Sequence, residues 1–197
     1  MDYKDIRFHL YAIGLNLATE YPGRNITLYV AGSAAMIIRE AISRGTSDID
    51  IMPVKSVSHE QILRDHFANT SVSAHIDCFA DGYEERASLI EQFCDVEIKV
   101  LSLEDIVVAK LASDRSGDYE DVAQKDVLER ININQVNVLA RKVIQNALTS
   151  HTKSNLSYNI QKYNEKYDAI HPGIRTENAL EEPSQGMDEQ EFTQDDL

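Results

Sequence analysis

Residues 28–52 read LYVAGSAAMIIREAISRGTSDIDIM, and the fold turns on this stretch. It begins inside a short, mostly apolar, β-branched run, Ile26 to Ala31, which suits a buried strand. Gly32-Ser33 follows, then an apolar stretch from Ala34 to about Ser43 that reads as a helix. Arg44-Gly45 reads as the helix exit, with Gly45 supplying the left-handed cap. Ser47 to Met52 alternates polar and apolar residues, as a half-buried strand does. Strand, Gly-Ser, helix and strand together define a compact α/β unit.

The chemistry of that unit lies in Asp48 and Asp50. Residues two apart on a strand share a face, so both carboxylates project together while Ile49 and Ile51 point into the core. Like charges held on one strand repel, and a cation relieves them. Mg²⁺ takes oxygen ligands and commonly completes its shell with substrate phosphates. Gly32 permits close backbone approach. Ser33, at the start of the helix, is placed to cap it and to give a hydroxyl to a phosphate near the positive helix end. Gly-Ser alone and Asp-x-Asp alone are common; their combination across strand, helix and strand is specific.

Working outward, Ile6, Leu10, Ile13 and Leu17 recur at helical spacing and predict a helix over residues 3–19. Ser58 to Gln61 resembles a capping box, with Ile62, Leu63, His66 and Phe67 continuing a helix. Residues 72–80 alternate, which predicts a strand with Val72, Ala74, Ile76 and Cys78 on one face and His75 and Asp77 on the other. A further strand is expected over residues 95–101. Helices are expected from Leu103 to about Arg115, from an Asp118 cap to about Arg130, and from an Asn134 cap through Leu148. Tyr158, Tyr163 and Tyr167 suit one more short helix. The order predicts an α/β core of mixed strands flanked by helices, followed by a helical lobe. The expected domains are a core over residues 1–101, a helical lobe closing the site over 102–150, and a polar acidic tail, partly disordered, over 151–197.

Composition limits the function classes. The net charge is −14; residues 1–150 carry 15 Lys+Arg against 23 Asp+Glu, and residues 151–197 carry 4 against 10. Such a balance argues against broad, diffuse affinity for nucleic acid and leaves room for a local basic patch. No run of eighteen apolar residues exists, so no transmembrane helix and no membrane partner are expected. The amphipathic start lacks the features of a signal peptide, and two isolated cysteines, Cys78 and Cys94, read as reduced thiols of a cytoplasmic protein.

The Gly32-Ser33 turn followed by Asp48-Ile49-Asp50 resembles the signature of the DNA polymerase β-like nucleotidyltransferase superfamily. Arg44 to Asp50, with Lys110 and the run Asp114, Arg115, Asp118 and Asp121, is further similar to the bacterial AbiEii-type and related toxin–antitoxin nucleotidyltransferases. The resemblance spans about residues 28–122 and is strongest over 31–51. It implies a minimal nucleotidyltransferase core that transfers a nucleotidyl group from an NTP, such as ATP, to a hydroxyl on tRNA, a protein or a small molecule. It further implies Mg²⁺, two ions, held by Asp48, Asp50 and a third carboxylate. Asp77 is the candidate for that third ligand and for the base; a surface-strand aspartate is the equal alternative. Gly32, Ser33, Arg44, Thr46, Ser47, Lys110, Arg115 and Asp118 are the implied substrate contacts. Lys110 lies against the apolar stripe of its helix, where a lysine either snorkels to solvent or reaches a pocket. Asp118 and Asp121 equally suit the first turn of a helix. Arg86 is a further candidate contact. A cognate toxin or antitoxin is an implied partner. The rival reading is an inert module of the same fold that binds a nucleotide or a protein.

Overall fold

The computed structural model describes residues 1–52, 60–70 and 76–173. Helix α1, Tyr3–Glu20, starts on a capping box in which the Asp2 side chain accepts from the backbone of Lys4 and Asp5, and Asp5 reaches back to Asp2. Its buried face is Ile6, Leu10, Ile13, Gly14 and Leu17, the predicted stripe. Strand β1 (Ile26–Val30) leads into helix α2 (Gly32–Ile38), and strand β2 (Ile49–Met52) returns antiparallel beside β1. Helix α3 (Glu60–Asp65) and the two-residue strand β3 (Ala68–Asn69) follow. After a helical turn α4 (Tyr83–Arg86) come strands β4 (Ser88–Phe93) and β5 (Val96–Val100). The sheet order is β3-β2-β1-β5-β4. β1 runs parallel to β5 and β2 to β3, while β4 and β5 are antiparallel, so the sheet is mixed as expected.

Five further helical segments complete the described chain: α5 (Leu103–Leu111), α6 (Ser116–Val122), α7 (Lys125–Leu128), α8 (Ile133–Asn146) and α9 (Ser150–Ile170). The start of α5 is capped by Ser102, which accepts from the Asp105 backbone, as its sequence predicts. The expected helix over 118–130 is two short ones, and its cap position falls on Arg115, with Asp118 inside the first turn. The cap of α8 is Asn132 rather than Asn134; its side chain accepts from Gln135.

The expected tail does not begin at 151. α9 buries Leu156, Ile160, Tyr163 and Tyr167 in the same hydrophobic core as the sheet and α5, and Thr152 is buried at its start. Burial of those side chains, rather than local propensity, supports a 21-residue helix in so polar a segment. Residues 174–197 lie outside the described residues.

Two other expectations are corrected. Of the predicted strand over 72–80, residues 72–75, His75 included, lie outside the described residues, and Ile76 to Cys78 form a single 3₁₀ turn. Ile76 is 46% exposed and Cys78 buried, so they share no face. The turn is held by side chains: Asp77 accepts from the hydroxyls of Thr149 and Thr152 at the start of α9. Ser58 and His59 of the expected capping box also lie outside the described residues.

The second correction concerns how α2 ends. It stops at Ile38 rather than near Ser43, and Glu40 (φ +56°), not Gly45, takes the left-handed position. The Glu40 N–H donates to Ile37 O (2.9 Å) and the Ala41 N–H to Met36 O (2.8 Å), the double closure of a Schellman motif. Arg130 adds two bonds of 2.6 Å to the carbonyls of Arg39 and Glu40. A left-handed residue with a Cβ costs roughly 1–2 kcal/mol. Glu40→Gly is therefore expected to stabilise the protein by about 0.5–1 kcal/mol, after the extra unfolded-state freedom of glycine. Urea unfolding of both proteins checks this; a loss of stability would mean that the Glu40 side chain contributes more than its strain costs.

Candidate functional site

The antiparallel return of β2 beside β1 places the carboxylates next to the Gly-Ser turn. Ile49 and Ile51 are fully buried, which fixes the strand and turns the Asp50 side chain to the opposite face. Asp48 lies one residue before the strand. The Ala31 N–H donates to Asp50 O at 2.8 Å, tying the turn to the strand. Gly32 has φ +59°, and a Cβ built on it would fall 1.9 Å from Asp50 Oδ2. No other residue fits both constraints, so glycine there is required by Asp50.

Asn69 on β3 stands in register beside Asp50. Its amide donates to Asp50 Oδ1 (3.0 Å) and approaches Asp48 Oδ2 (3.4 Å), so one side chain spans both carboxylates. Thr46 Oγ1 donates to Asp48 O (3.1 Å) and Ser47 Oγ to Asp48 Oδ1 (3.3 Å). Burial, and then the charge of Asp48, push the Asp50 carboxyl above its ordinary range, against a smaller opposing pull from the Asn69 hydrogen bond.

Facing this pair across a pocket of about 610 Å³ is a charged network on α5 and α6. Lys110 is buried and donates to Asp118 Oδ1 (2.5 Å) and Asp121 Oδ2 (2.9 Å). Arg44 pairs with both oxygens of Asp121 and donates to Ser33 Oγ at 3.1 Å. Arg115 donates to Asp118 Oδ2 at 2.8 Å, although its own side chain is 79% exposed. Burial alone would raise Asp118 and Asp121. Their hydrogen bonds and charge partners, Lys110 for both and Arg44 for Asp121, outweigh it and hold both carboxyls below the usual range.

Gly32, Ser33, Arg44, Thr46, Ser47, Asp48, Asp50, Lys110, Arg115 and Asp118 all line this one pocket. Several do other work than expected. Ser33 does not cap α2; the cap position is Ala31, with no side-chain bond, and the Ser33 hydroxyl accepts from Arg44. Lys110 is committed to two carboxylates. Asp77 is not among the lining residues; its carboxylate accepts from Thr149 and Thr152. Arg86 lies elsewhere, paired with Asp105 at 2.9 and 2.7 Å. Among the described residues, no three His, Cys, Asp or Glu side chains gather into a metal-binding group.

The lining residues that were not foreseen include Asn69, and His151 and Thr152 of α9. Asn69 sits in a strand too short to show a pattern. The α9 pair sits in a segment whose apolar stripe is diluted by polar residues.

A family model described as nucleotidyltransferase of unknown function (DUF6036) matches residues 15–168. The chain belongs to this nucleotidyltransferase family. No match was found among curated proteins or among solved structures. The family match runs from within α1 to near the end of α9, so it takes in every wall of the pocket, from Gly32 to Thr152. No described helix is long and apolar enough to cross a membrane.

The donor set would suit a divalent ion. Asp48 and Asp50 offer hard carboxylate oxygens from one strand edge, and Gly32 leaves the space beside Asp50 Oδ2 open.

Proposed function

We propose that this pocket transfers a nucleotidyl group from an NTP to a hydroxyl acceptor in a Mg²⁺-dependent reaction. The observation that carries this is the packing of the Gly32 turn against Asp50, which brings the Gly-Ser turn and both carboxylates to one wall. Asp48 and Asp50 would hold the metal, one ion or two; bound there, Mg²⁺ supplies positive charge to the phosphate oxygens. With two protein carboxylates, the remaining positions fall to water and phosphate.

In the transfer, the acceptor oxygen forms a bond to the α-phosphorus and the bond to the bridging oxygen of pyrophosphate breaks. Pyrophosphate leaves with that electron pair, and the acceptor proton passes to a base. Asp77 is the base that the resemblance implies; its carboxylate would have to exchange the hydroxyls of Thr149 and Thr152 for the acceptor. Arg115, the most exposed cation of the network, is the side chain best placed to reach a triphosphate. The protein's work is positioning and charge neutralisation.

The acceptor is a hydroxyl of tRNA, a protein or a small molecule. The net charge of −14 favours a short or compact one over a long nucleic acid. The resemblance of Arg44 to Asp50, with Lys110 to Asp121, to toxin–antitoxin nucleotidyltransferases is what suggests a role beside a cognate toxin or antitoxin, or in phage defence.

Calorimetry of the four NTPs, with and without Mg²⁺, tests the proposal. Wild type is expected to bind one or more NTPs only with Mg²⁺, and Asp48→Ala/Asp50→Ala none. Binding that ignores both Mg²⁺ and the double substitution would remove the assignment. One observation favours a second reading, an inert binding module: Lys110 and Ser33, two implied phosphate contacts, are already engaged by Asp118, Asp121 and Arg44. That reading expects Mg²⁺-independent nucleotide binding or none, and no release of pyrophosphate.

A further inference from the structure

A second pocket, of about 480 Å³, opens at the other end of α2 and is bordered by Arg39, Arg86 and Arg130. Three arginines around one hollow reverse the sign of a chain whose net charge is −14. Arg86 is neutralised by its two bonds to Asp105. Arg39 and Arg130 are not: among the described residues neither forms an ion pair. Arg39 donates to Leu101 O (2.5 Å), Val100 O (3.2 Å) and Ser88 Oγ (3.3 Å). Arg130 donates to the carbonyls of Arg39 and Glu40. Such bonds orient a guanidinium without cancelling its charge. Glu104 also borders the pocket, but its carboxylate accepts the Asn132 N–H at 3.1 Å.

Fixed like charges on one concave surface repel, as Asp48 and Asp50 do in the first pocket, and a counter-ion relieves them. Burial works against the protonated state of Arg39 and outweighs the support of the Glu104 charge; Arg130 opposes it further, and Asp105 supports it least. The two guanidiniums come from different elements, the end of α2 and the connection between α7 and α8. Two guanidiniums that border one pocket from different elements suit an anion with three or more oxygens better than a planar carboxylate, through the charge and the N–H groups that the carbonyls leave over.

We propose that this pocket is a second binding site, for a phosphate group, held by Arg39 and Arg130. The phosphate belongs either to a small phosphorylated molecule or to a nucleic-acid backbone. The site does not depend on the reaction assigned to the first pocket. It shares α2 with that pocket, however, and a seven-residue helix is only about 10 Å long.

The test uses the full chain in chelator, with inorganic phosphate titrated against sodium chloride at matched ionic strength. Arginine side-chain N–H resonances report the binding. Saturable phosphate binding is expected to shift Arg39 and Arg130, to weaken about tenfold or more in Arg130→Gln, and to persist in Asp48→Ala/Asp50→Ala. Arg130→Lys, which keeps the charge and loses the fork, is expected to fall between, and it carries the test if Arg130→Gln does not fold. A single-stranded oligonucleotide then separates the two sources. Displacement of phosphate supports a backbone ligand, and its failure supports a small phosphorylated one. Shifts that follow ionic strength alone, or wild-type phosphate affinity in both Arg130 variants, would overturn the proposal.

Discussion

Asp50→Asn is expected to lose nucleotidyl transfer by about a thousandfold or more, and yet to unfold at a higher temperature than wild type in chelator. The two effects have one cause. Burial and the charge of Asp48 raise the proton affinity of Asp50 in the folded protein. The sign of the linkage follows. The unfolded chain gives up this proton near the ordinary value of 3.8. The folded protein gives it up at higher pH, so stability falls as pH rises from 3.8 through the raised native value, and the loss is complete above it. Above that raised value the metal-free wild type carries the penalty in full. Asparagine removes it, keeps an oxygen to accept from Asn69, and removes a metal ligand. Mg²⁺ should raise the melting temperature of wild type and leave Asp50→Asn unmoved. Thermal scans in chelator and in Mg²⁺, beside a pyrophosphate-release assay, measure all three. Undiminished turnover would mean that the chemistry lies elsewhere. A lower melting temperature in chelator would mean that packing against Gly32, rather than charge, governs the position.

The second large effect is expected at Lys110. Lys110→Met keeps the stem and removes the ammonium, leaving Asp118 and Asp121, both under 10% exposed, with only Arg115 and Arg44. Stripping one partner from a buried ion network costs about 3–5 kcal/mol. Urea unfolding should show that loss, and Lys110→Met with Asp118→Asn and Asp121→Asn should recover much of it. The pH dependence has the opposite sign to that of Asp50. Asp118 and Asp121 have lowered native values, so their contribution is present above about 3.8 and is lost as pH falls through those values. Acid unfolding of wild type should therefore be steep below the ordinary carboxylate range and shallower in the triple variant. A Lys110→Met protein of wild-type stability that no longer binds NTP would instead make Lys110 a phosphate ligand.

The sequence shows best where side chains on one face are buried and the backbone repeats. β1 and β5 alternate in burial, β2 does so from Ile49 to Ile51, and α1 keeps its Ile6-Leu10-Ile13-Leu17 stripe, so each is read to within two residues. β4 is hidden because it is an edge strand with a register shift between Leu89 and Glu91, which destroys the period of two. α9 is hidden because three tyrosines suggest the wrong stripe. Tyr158 is 62% exposed, and the buried line runs through Leu156, Ile160, Tyr163 and Tyr167. The end of α2 is hidden because glycine marks left-handed turns, and here Glu40 makes one. At the site, residue types were legible and partners were not. Asp48, Asp50 and Gly32 announce themselves by spacing. That Lys110 faces two carboxylates, or that Asn69 spans the aspartates, depends on α6 and β3 arriving beside them in space.

α9 also bears on how the molecule is made. It brings His151 and Thr152 to a pocket whose opposite wall, from Gly32 to Asp50, is synthesised more than a hundred residues earlier. At about 5–20 residues per second, those carboxylates emerge from the ribosome many seconds before the helix that helps to enclose them. Until then the nascent chain carries an acidic pair with an unfinished surround. Enclosure of the pocket is thus acquired only once α9 has been made, and a ribosome stalled before residue 150 would hold the aspartates without that wall.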